Sequence, residues 1–133
     1  MILVICLDQK DGLRFNRRRQ SKDRLLRQKL LELTRGKALW MNAYSATQFE
    51  ETAENLRVDE MPFEQAGTGE FCFVEAMDPQ PLLSKAEELI VFRWDKTYPA
   101  DLRFAPVTFG TLTEVEEFAG YSHETIRQER YLP

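Results

Sequence analysis

The sequence opens on a continuous apolar run, Ile2–Leu7, which ends at Asp8. A strand with one solvent-exposed face alternates apolar and polar residues, whereas a strand buried on both faces is apolar throughout. The run therefore predicts a strand at the centre of a parallel sheet. It lacks the basic segment and cleavage site of a secretory signal, and no apolar run approaches the roughly 20 residues that cross a bilayer. We therefore expect a cytoplasmic protein with no membrane contact.

Further apolar segments of strand length follow along the chain. Strands are predicted at residues 38–41, 70–76, 89–94, 102–109 and 124–132. The last segment is rich in polar residues, which favours an edge position, and a loop is predicted at residues 114–121. Strands that alternate with helices are typical of an α/β fold with a mainly parallel sheet. We expect one domain over residues 1–133, because a chain of this length has no room for a second core.

Predicted helices lie between these predicted strands. Helices are predicted at residues 22–34, 46–54 and 79–86. In the first helix Leu26 and Leu30 share one face, and Ser21 is the predicted N-cap. Ser45 is the predicted N-cap of the second helix. Proline and glycine interrupt the periodicity of residues 55–69, so this stretch favours neither a helix nor a strand.

The net charge of −4 hides an uneven distribution of charge along the chain. Residues 1–40 hold 11 Lys and Arg against 4 Asp and Glu, whereas the rest of the chain holds 7 against 18. Clustered cations attract phosphates, so the basic stretch at residues 14–29 is a candidate face for nucleic acid or a protein partner. A solvated helix face that pairs with acidic residues elsewhere explains the same charge. Both interpretations stay open.

Cysteine and histidine are too scarce for several kinds of site. Cys6 and Cys72 lie in apolar segments without a CxxC pair, so we expect buried free thiols. His123 is the single histidine, so a histidine-rich metal centre cannot form, and no metal site is predicted. Catalysis by a Ser-His-Asp or Cys-His group would depend on His123 alone, and no nucleophile-elbow motif accompanies it. The favoured interpretation of His123 is a structural hydrogen-bonding role.

Four segments resemble a known family and occur in its order. They read ILVICLDQKDGLRFN, GKALWMNAYS, GEFCFVEAMDPQPLLSKAEELIVFRWDKTYPADLRFAP and FAGYSHETIRQERY. Together they resemble the dihydrofolate reductase family. The first is similar to its opening strand and the loop that closes over the active site, and the last is similar to its closing hairpin. The resemblance implies an α/β, three-layer fold in which a mainly parallel central sheet ends in a C-terminal antiparallel hairpin.

The resemblance also implies a ligand site. Asp23 heads the first helix as the family's substrate-binding acid does, and it is the candidate catalytic residue. The candidate ligand-binding residues lie in the loop over the cleft or in the matching segments: Asn16, Arg17, Arg19, Gln20, Met41, Ser45 and Glu75. The implied ligand is a nucleotide or a pterin-like ring, and arginine suits contact with a phosphate or carboxylate. The alternatives are an exposed loop without a ligand and an Asp23 that serves its own helix dipole.

The sequence departs from the family where NADPH would bind. The family's glycine-rich turn lets the backbone approach the cofactor pyrophosphate, but residues 74–77 contain no glycine, and Glu75 places a carboxylate there. The family's M-G-R segment supplies a cation to the cofactor, whereas Met41-Asn42-Ala43 has none. Residues 45–69 are also too short to hold the adenosine half. We therefore expect no ordinary NADPH-dependent reductase and predict no cofactor.

Three functions stay open, and the sequence leaves undecided whether the chain is an enzyme. The leading expectation is a shortened member of this family that binds a small anionic or heterocyclic ligand. The alternatives are an oxidoreductase with an atypical cofactor site and a nucleic-acid or protein interaction module that uses residues 14–29. A homodimer is expected if the shortened segment leaves a sheet edge open.

Overall fold

The elements of the fold are assigned from a computed structural model that describes residues 1–50 and 53–133. Within these residues the strands are β1 (Ile2–Leu7), β2 (Gly12–Phe15), β3 (Arg18–Arg19), β4 (Leu39–Met41), β5 (Leu56–Val58), β6 (Phe71–Phe73), β7 (Glu88–Arg93), β8 (Leu102–Arg103), β9 (Thr111–Phe118) and β10 (Ile126–Leu132). The α-helices there are α1 (Arg24–Leu33), α2 (Ala43–Ala46) and α3 (Pro62–Gln65), and 3-10 helices cover Gln80–Lys85 and Pro106–Thr108. In the same range no helix combines the length and apolar character that a membrane crossing requires.

A seven-stranded sheet in the order β5-β4-β6-β1-β7-β10-β9 forms the centre of the fold. Strands β5, β4, β6, β1 and β7 are parallel, and β10 pairs antiparallel with both β7 and β9. Because β1 lies between β6 and β7, the prediction of a central parallel strand is confirmed. The α/β class, the mainly parallel sheet and the antiparallel C-terminal hairpin are confirmed as well.

Both faces of the central strand are covered by side chains. Successive residues of a strand point to opposite faces, so Leu3 and Ile5 pack in one core while Val4 packs in the other. Leu26 and Leu30 of α1 belong to the second core. Full burial of such a side chain contributes about 1.5–3 kcal/mol. The two cores hold the sheet rigidly and thereby fix the positions of the residues at its edges.

The last part of the sheet differs from the sequence prediction. The predicted loop at residues 114–121 lies largely in β9, and β9 takes the edge position that composition favours for β10. Both faces of β9 are exposed, so its glutamates face water and no apolar alternation marks it as a strand. The strand predicted at residues 102–109 ends at Arg103, and Pro106, which has no backbone N–H to donate, begins a 3-10 helix.

Helix α1 begins later than predicted. Asp23 is its N-cap, and the prediction of Ser21 as the cap is wrong. Asp23 Oδ1 accepts hydrogen bonds from the backbone N–H groups of Leu25 at 2.9 Å and Leu26 at 3.3 Å. A carboxylate at this position both satisfies free helix donors and interacts favourably with the helix dipole.

Helix α2 is short and has a different cap from the one predicted. Asn42 is the cap, and its Oδ1 accepts from the backbone N–H of Ser45 at 2.9 Å. Ser45 itself is buried inside the helix, which ends at Ala46. The prediction of a helix that starts after Ser45 and runs over residues 46–54 is therefore wrong at its start, and residues 51 and 52 lie outside the described residues.

A hairpin formed by β2 and β3 lies over the carboxyl ends of the parallel strands. Its turn residues Asn16 and Arg17 have φ angles of +52° and +61°, which suit a two-residue hairpin turn. Arg14 of β2 donates from Nη1 to the carbonyl oxygen of Ala76, beyond β6, at 2.7 Å. β8 pairs with the other side of β2. These contacts hold the hairpin down and place β3 beside the carboxyl edge of the sheet.

Cys72 is predicted to be unreactive in the folded protein. Its side chain is fully buried in β6, and burial raises the pKa of its thiol to about 12. The thiolate is the reactive form, so 5,5′-dithiobis(2-nitrobenzoate) at pH 8 should modify Cys72 only after unfolding. A Cys6→Ser variant assigns the signal to Cys72. Unfolding this variant in concentrated guanidinium chloride should let Cys72 react at once. Rapid modification of the folded variant would contradict the prediction.

Candidate functional site

Polar side chains gather where the parallel strands end. Asp8 follows β1, Asn42 follows β4, Glu75 lies two residues beyond β6, and Trp94 follows β7. The carboxyl ends of parallel strands meet at one edge of a sheet, and this edge is the usual ligand site of open α/β proteins. With the β2–β3 hairpin above it, this carboxyl edge is the candidate functional site.

Four side chains at the carboxyl edge contact one another and are here called the arginine clamp: Arg19, Tyr44, Gln48 and Glu75. The buried Glu75 carboxylate accepts from Arg19 Nε at 3.0 Å and from Gln48 Nε2 at 2.8 Å. The Arg19 guanidinium lies 4.1 Å from the centre of the Tyr44 ring and donates to the Tyr44 carbonyl oxygen at 2.9 Å. Glu75 is therefore neutralised from inside the protein, and much of the donor capacity of Arg19 is used within the clamp.

Gln20 bonds to Asp8 and does not face an open cleft. Asp8 is buried, and its carboxylate accepts from the backbone N–H groups of Lys10, Gly12 and Tyr98 and from Gln20 Nε2, at distances of 2.8–3.0 Å. Burial alone would raise the pKa of Asp8, but these donors lower it below its ordinary value. Gln20 thus fixes the segment between β3 and α1 to the end of β1.

Asp23 is buried, and both of its oxygens are engaged. Oδ1 caps α1, while Oδ2 accepts from the backbone N–H groups of Tyr121 at 3.0 Å and Ser122 at 2.8 Å and lies 3.0 Å from His123 Nδ1. Burial alone would raise the pKa of Asp23, but the Tyr121 N–H, the His123 ring and the Ser122 N–H hold it well below its ordinary value. These groups occupy both oxygens of the carboxylate, and the role of Asp23 as a substrate anchor or proton donor stays a prediction.

His123 joins Asp23 to two hydroxyl groups. The side chains of Ser21, Asp23, Trp94, Tyr98 and His123 are here called the histidine relay. His123 Nε2 lies 3.0 Å from Ser21 Oγ and 3.0 Å from Tyr98 Oη, while Nδ1 faces Asp23. Trp94 stacks on the imidazole with ring centres 4.4 Å apart. Since His123 is also buried, the stacking and the hydrogen bonds fix its ring in one orientation.

The loop that carries His123 approaches Asp23 closely because residue 120 is glycine. A Cβ atom at Gly120 would lie 2.9 Å from Asp23 Oδ2 and 2.7 Å from the carbonyl oxygen of His123. Real Cβ atoms do not approach other atoms so closely, so a larger residue would push the loop away from α1. The relay therefore depends on this glycine as well as on its polar members.

The remaining predicted residues lie in two different environments. Met41 and Ser45 are buried and line neither the pocket beside β3 nor the pocket beyond β6, and their role as ligand contacts stays a prediction. Asn16 and Arg17 form the exposed turn of the β2–β3 hairpin, where the backbone N–H of Asn16 donates to Asp101 Oδ2 at 3.0 Å. The structure thus brings Arg19 and Glu75 together and leaves the hairpin turn in solvent.

Three side chains at this edge were not predicted from the sequence, namely Ser21 as a site residue, Gln48 and Tyr98. Ser21 lies 102 positions from its partner His123, and Tyr98 lies 25 positions from it. Gln48 is 27 positions from Glu75. Motif spacing cannot detect pairs so distant along the chain. The available signal is weaker: Ser21 precedes the first predicted helix, and Tyr98 lies four residues after a predicted strand.

The pocket beside β3 and the pocket beyond β6 both open at the carboxyl edge and differ in charge. The larger, of about 480 Å³, is lined by Arg18, Arg19, Ser21, Lys22 and Tyr44. The smaller, of about 100 Å³, lies beside Val74 and Ala76, and its wall includes Glu60 and Glu75. Ligand pockets usually span about 300–1,000 Å³, so the larger pocket suits a small molecule and the smaller one does not.

A further pocket, of about 690 Å³, lies near the amino end of β4, at the opposite edge of the sheet. Its wall carries both signs of charge, including Glu32, Glu54, Arg35, Lys37 and Arg57. Mixed charges select no particular ligand class, and none of the residues of the clamp or the relay lines this pocket. The carboxyl edge therefore remains the stronger candidate.

Comparison with known proteins assigns no family to this chain. No family model matches the chain, and no curated protein matches it. Among the residues that the structure describes, no three His, Cys, Asp or Glu side chains form a group that could hold a metal ion.

Proposed function

We propose that this chain is a shortened relative of the dihydrofolate reductase family that binds a small anionic ligand, such as a nucleotide, in the 480 Å³ pocket beside β3. One observation carries the proposal: the exposed cations Arg18 and Lys22 flank this pocket together with Tyr44. Across residues 1–50 and 53–133, the side chains of Arg18 and Lys22 have no hydrogen-bond or ion-pair partner of their own. A phosphate or carboxylate would satisfy both, with the guanidinium able to bind two oxygens at once.

The family relation has its own support. The mainly parallel sheet and the antiparallel β9–β10 pair are features that the sequence resemblance implies. The β2–β3 hairpin also lies over the carboxyl edge, where the resemblance implies a loop that closes over the ligand. The segment between α2 and β6 is short, which agrees with a shortened member of the family.

NADPH is not expected to bind. The segment at residues 74–77 borders a pocket of only about 100 Å³, and Glu60 and Glu75 line it. A pyrophosphate there would meet the Glu60 carboxylate where the family supplies glycine backbone, and the pocket is too small to enclose it. Turnover of dihydrofolate with NADPH would overturn this part of the proposal and favour the alternative of an oxidoreductase with an atypical cofactor site.

The binding proposal is tested by titrating the isotopically labelled protein with adenosine 5′-monophosphate and following backbone amide signals by NMR. We expect the signals of Arg18, Ser21, Lys22 and Tyr44 to move, and adenosine at the same concentration to move them far less. An Arg18→Ala/Lys22→Ala double variant should weaken binding about tenfold or more, because it removes two charged contacts.

A matched control removes the same charge elsewhere. Lys10→Ala/Lys85→Ala also deletes two exposed cations, and neither residue lines this pocket. Equal affinity of the two double variants for the nucleotide would contradict the proposed site. Signal changes confined to the pocket at the amino end of β4 would contradict it as well.

The nucleic-acid alternative loses part of its electrostatic basis in the folded protein. Arg19 pairs with Glu75, and Lys29 lies 3.4 Å from Glu116, so these basic residues of the 14–29 stretch are already neutralised. Phosphate contacts spread over a nucleic acid give a steep fall of affinity with salt. Tight binding of single-stranded RNA with such a salt dependence would favour this alternative over the small-ligand pocket.

A further inference from the structure

Three members of the histidine relay form a hydroxyl–imidazole–carboxylate chain. Ser21 Oγ lies 3.0 Å from His123 Nε2, and His123 Nδ1 lies 3.0 Å from Asp23 Oδ2. Both distances are within the range that proton transfer between a nucleophile and its base requires. The order of groups is that of the Ser-His-Asp triads, which recur on unrelated folds and are recognised by geometry and not by motif.

Asp23 determines which nitrogen of His123 carries the proton. Four backbone N–H groups, those of Leu25, Leu26, Tyr121 and Ser122, already donate to its carboxylate. A carboxylate held in this way accepts from His123, so we assign the proton to Nδ1 and the lone pair to Nε2. Asp23 is thus a positioning residue, and the stacked Trp94 keeps the ring from turning away.

The hydroxyl at the other end of the chain belongs to a residue of the basic pocket. Ser21 is partly exposed and lines the pocket with Arg18 and Lys22. We propose that Ser21 is a nucleophile activated by His123 and that its substrate is a carboxylic ester bearing a phosphate or carboxylate group. The choice of substrate rests on the proposed anion-binding function, whereas the activation of Ser21 does not.

The reaction balances with water as the only other reactant. Ser21 Oγ attacks the ester carbon, its proton passes to His123 Nε2, and the leaving alkoxide departs with that proton. Water then attacks the acyl-serine and gives a proton to Nε2, and that proton returns to Ser21 as the carboxylic acid leaves. The Lys22 ammonium lines the same pocket and supplies positive charge for the phosphate or carboxylate group of the substrate.

Tyr98 competes with Ser21 for the same lone pair. Its Oη lies 3.0 Å from His123 Nε2, the same distance as Ser21 Oγ. One lone pair accepts one strong hydrogen bond, so the phenol limits the time that Ser21 spends as the donor. A Tyr98→Phe variant removes the competitor and is therefore expected to raise the reactivity of Ser21.

The test uses a fluorophosphonate, which modifies activated serines irreversibly, with the site read by mass spectrometry of peptides. We expect an adduct on Ser21, none on the exposed Ser84, and faster modification in Tyr98→Phe. Ser21→Ala should abolish the adduct and lower hydrolysis of 4-nitrophenyl acetate by at least about 100-fold, whereas Ser84→Ala should leave both unchanged. Absence of an adduct on Ser21 in the wild-type protein, or slower modification in Tyr98→Phe, would overturn the proposal.

The substrate class is tested separately. Mono(4-nitrophenyl) succinate carries a carboxylate that 4-nitrophenyl acetate lacks, and we expect it to be hydrolysed about tenfold more efficiently. Arg18→Ala/Lys22→Ala should remove this preference. An adduct on Ser21 without this substrate preference would contradict only the anion-binding proposal. Nucleotide binding without an adduct would contradict only the proposal that Ser21 is a nucleophile.

Discussion

Replacing Asp23 with alanine is expected to lower the free energy of unfolding by about 3–5 kcal/mol. The variant removes the N-cap of α1 and leaves the Tyr121 and Ser122 N–H groups without their acceptor. It also leaves His123 Nδ1 unpaired in a buried position. Each buried donor without a partner costs about 1–3 kcal/mol, and the loss of a cap costs about 1 kcal/mol. A helix and a loop about 100 positions apart would lose their main polar connection.

Urea denaturation followed by tryptophan fluorescence measures the effect, and Asp23→Asn is the matched control. Asparagine keeps an oxygen for the cap of α1, where it performs as well as aspartate. It replaces Oδ2 with an amide that cannot accept from Ser122 or His123, whereas Oδ1 still accepts from the Tyr121 N–H. We therefore expect a loss for Asp23→Asn of roughly half that of Asp23→Ala. A loss below about 1 kcal/mol for Asp23→Ala would show that water replaces these bonds without cost.

The same carboxylate should make stability depend on pH in acid. The pKa of Asp23 is lower in the folded protein than in the unfolded chain, where it is about 3.9. Its contribution is therefore complete above about pH 4 and is lost as the pH falls toward the folded value. Asp8 acts in the same direction, since its pKa is lowered too. Asp23→Asn should thus flatten the acid part of the stability curve without abolishing its slope.

Replacing Glu129 with alanine is the second large loss, expected at about 3–5 kcal/mol. Glu129 lies in β10, and its carboxylate accepts from Arg93 Nε and Nη2 of β7 at 3.2 and 3.1 Å. It also accepts from the Tyr131 hydroxyl at 2.9 Å and lies 2.9 Å from Arg127 Nε. Without Glu129, Arg93 would keep Asp11 as its acidic partner, but two arginines would face each other across the strand pair. Breaking a buried ion pair from one side is costly because the other charge stays behind.

Glu116→Ala is the matched control for this loss. Glu116 lies on β9 of the same hairpin and pairs with Lys29, but its side chain is 59% exposed, against 5% for Glu129. Exposed ion pairs contribute at most about 1 kcal/mol, because water and salt screen them. Guanidinium denaturation of both variants should therefore separate them clearly. Similar losses for the two glutamates would contradict a special role for the buried pair.

The parallel half of the fold is predictable because burial on both faces leaves a direct mark on the sequence. The apolar runs of β1 and β7 need no partner information to be identified as strands. The C-terminal hairpin lacks this mark. Most of β9 faces water on both sides, and β10 buries Glu129 against Arg93 of β7. Local hydrophobicity therefore predicts a loop where most of β9 lies and places β10 instead of β9 at the edge of the sheet.

The candidate site is less predictable, and Asp23 shows why. Its position before a helix identifies it as an important carboxylate, but its partners at residues 121–123 are distant along the chain. Spacing cannot say whether such a carboxylate meets a ligand or the protein itself. The sequence likewise does not show whether Glu75 meets a ligand or the protein. Glu75 pairs with Arg19 only because the β2–β3 hairpin folds over the sheet.

The exposed edge strand β9 has a consequence for solubility. Its eight residues leave one row of backbone groups unpaired, and such a row is a template on which other copies can aggregate. Leu112 and Val115 are exposed on this strand and would favour that growth. Glu114, Glu116 and Glu117 oppose it, because the edge of an approaching copy carries the same negative charge. High salt screens these charges and should therefore weaken the protection that they give this edge against aggregation.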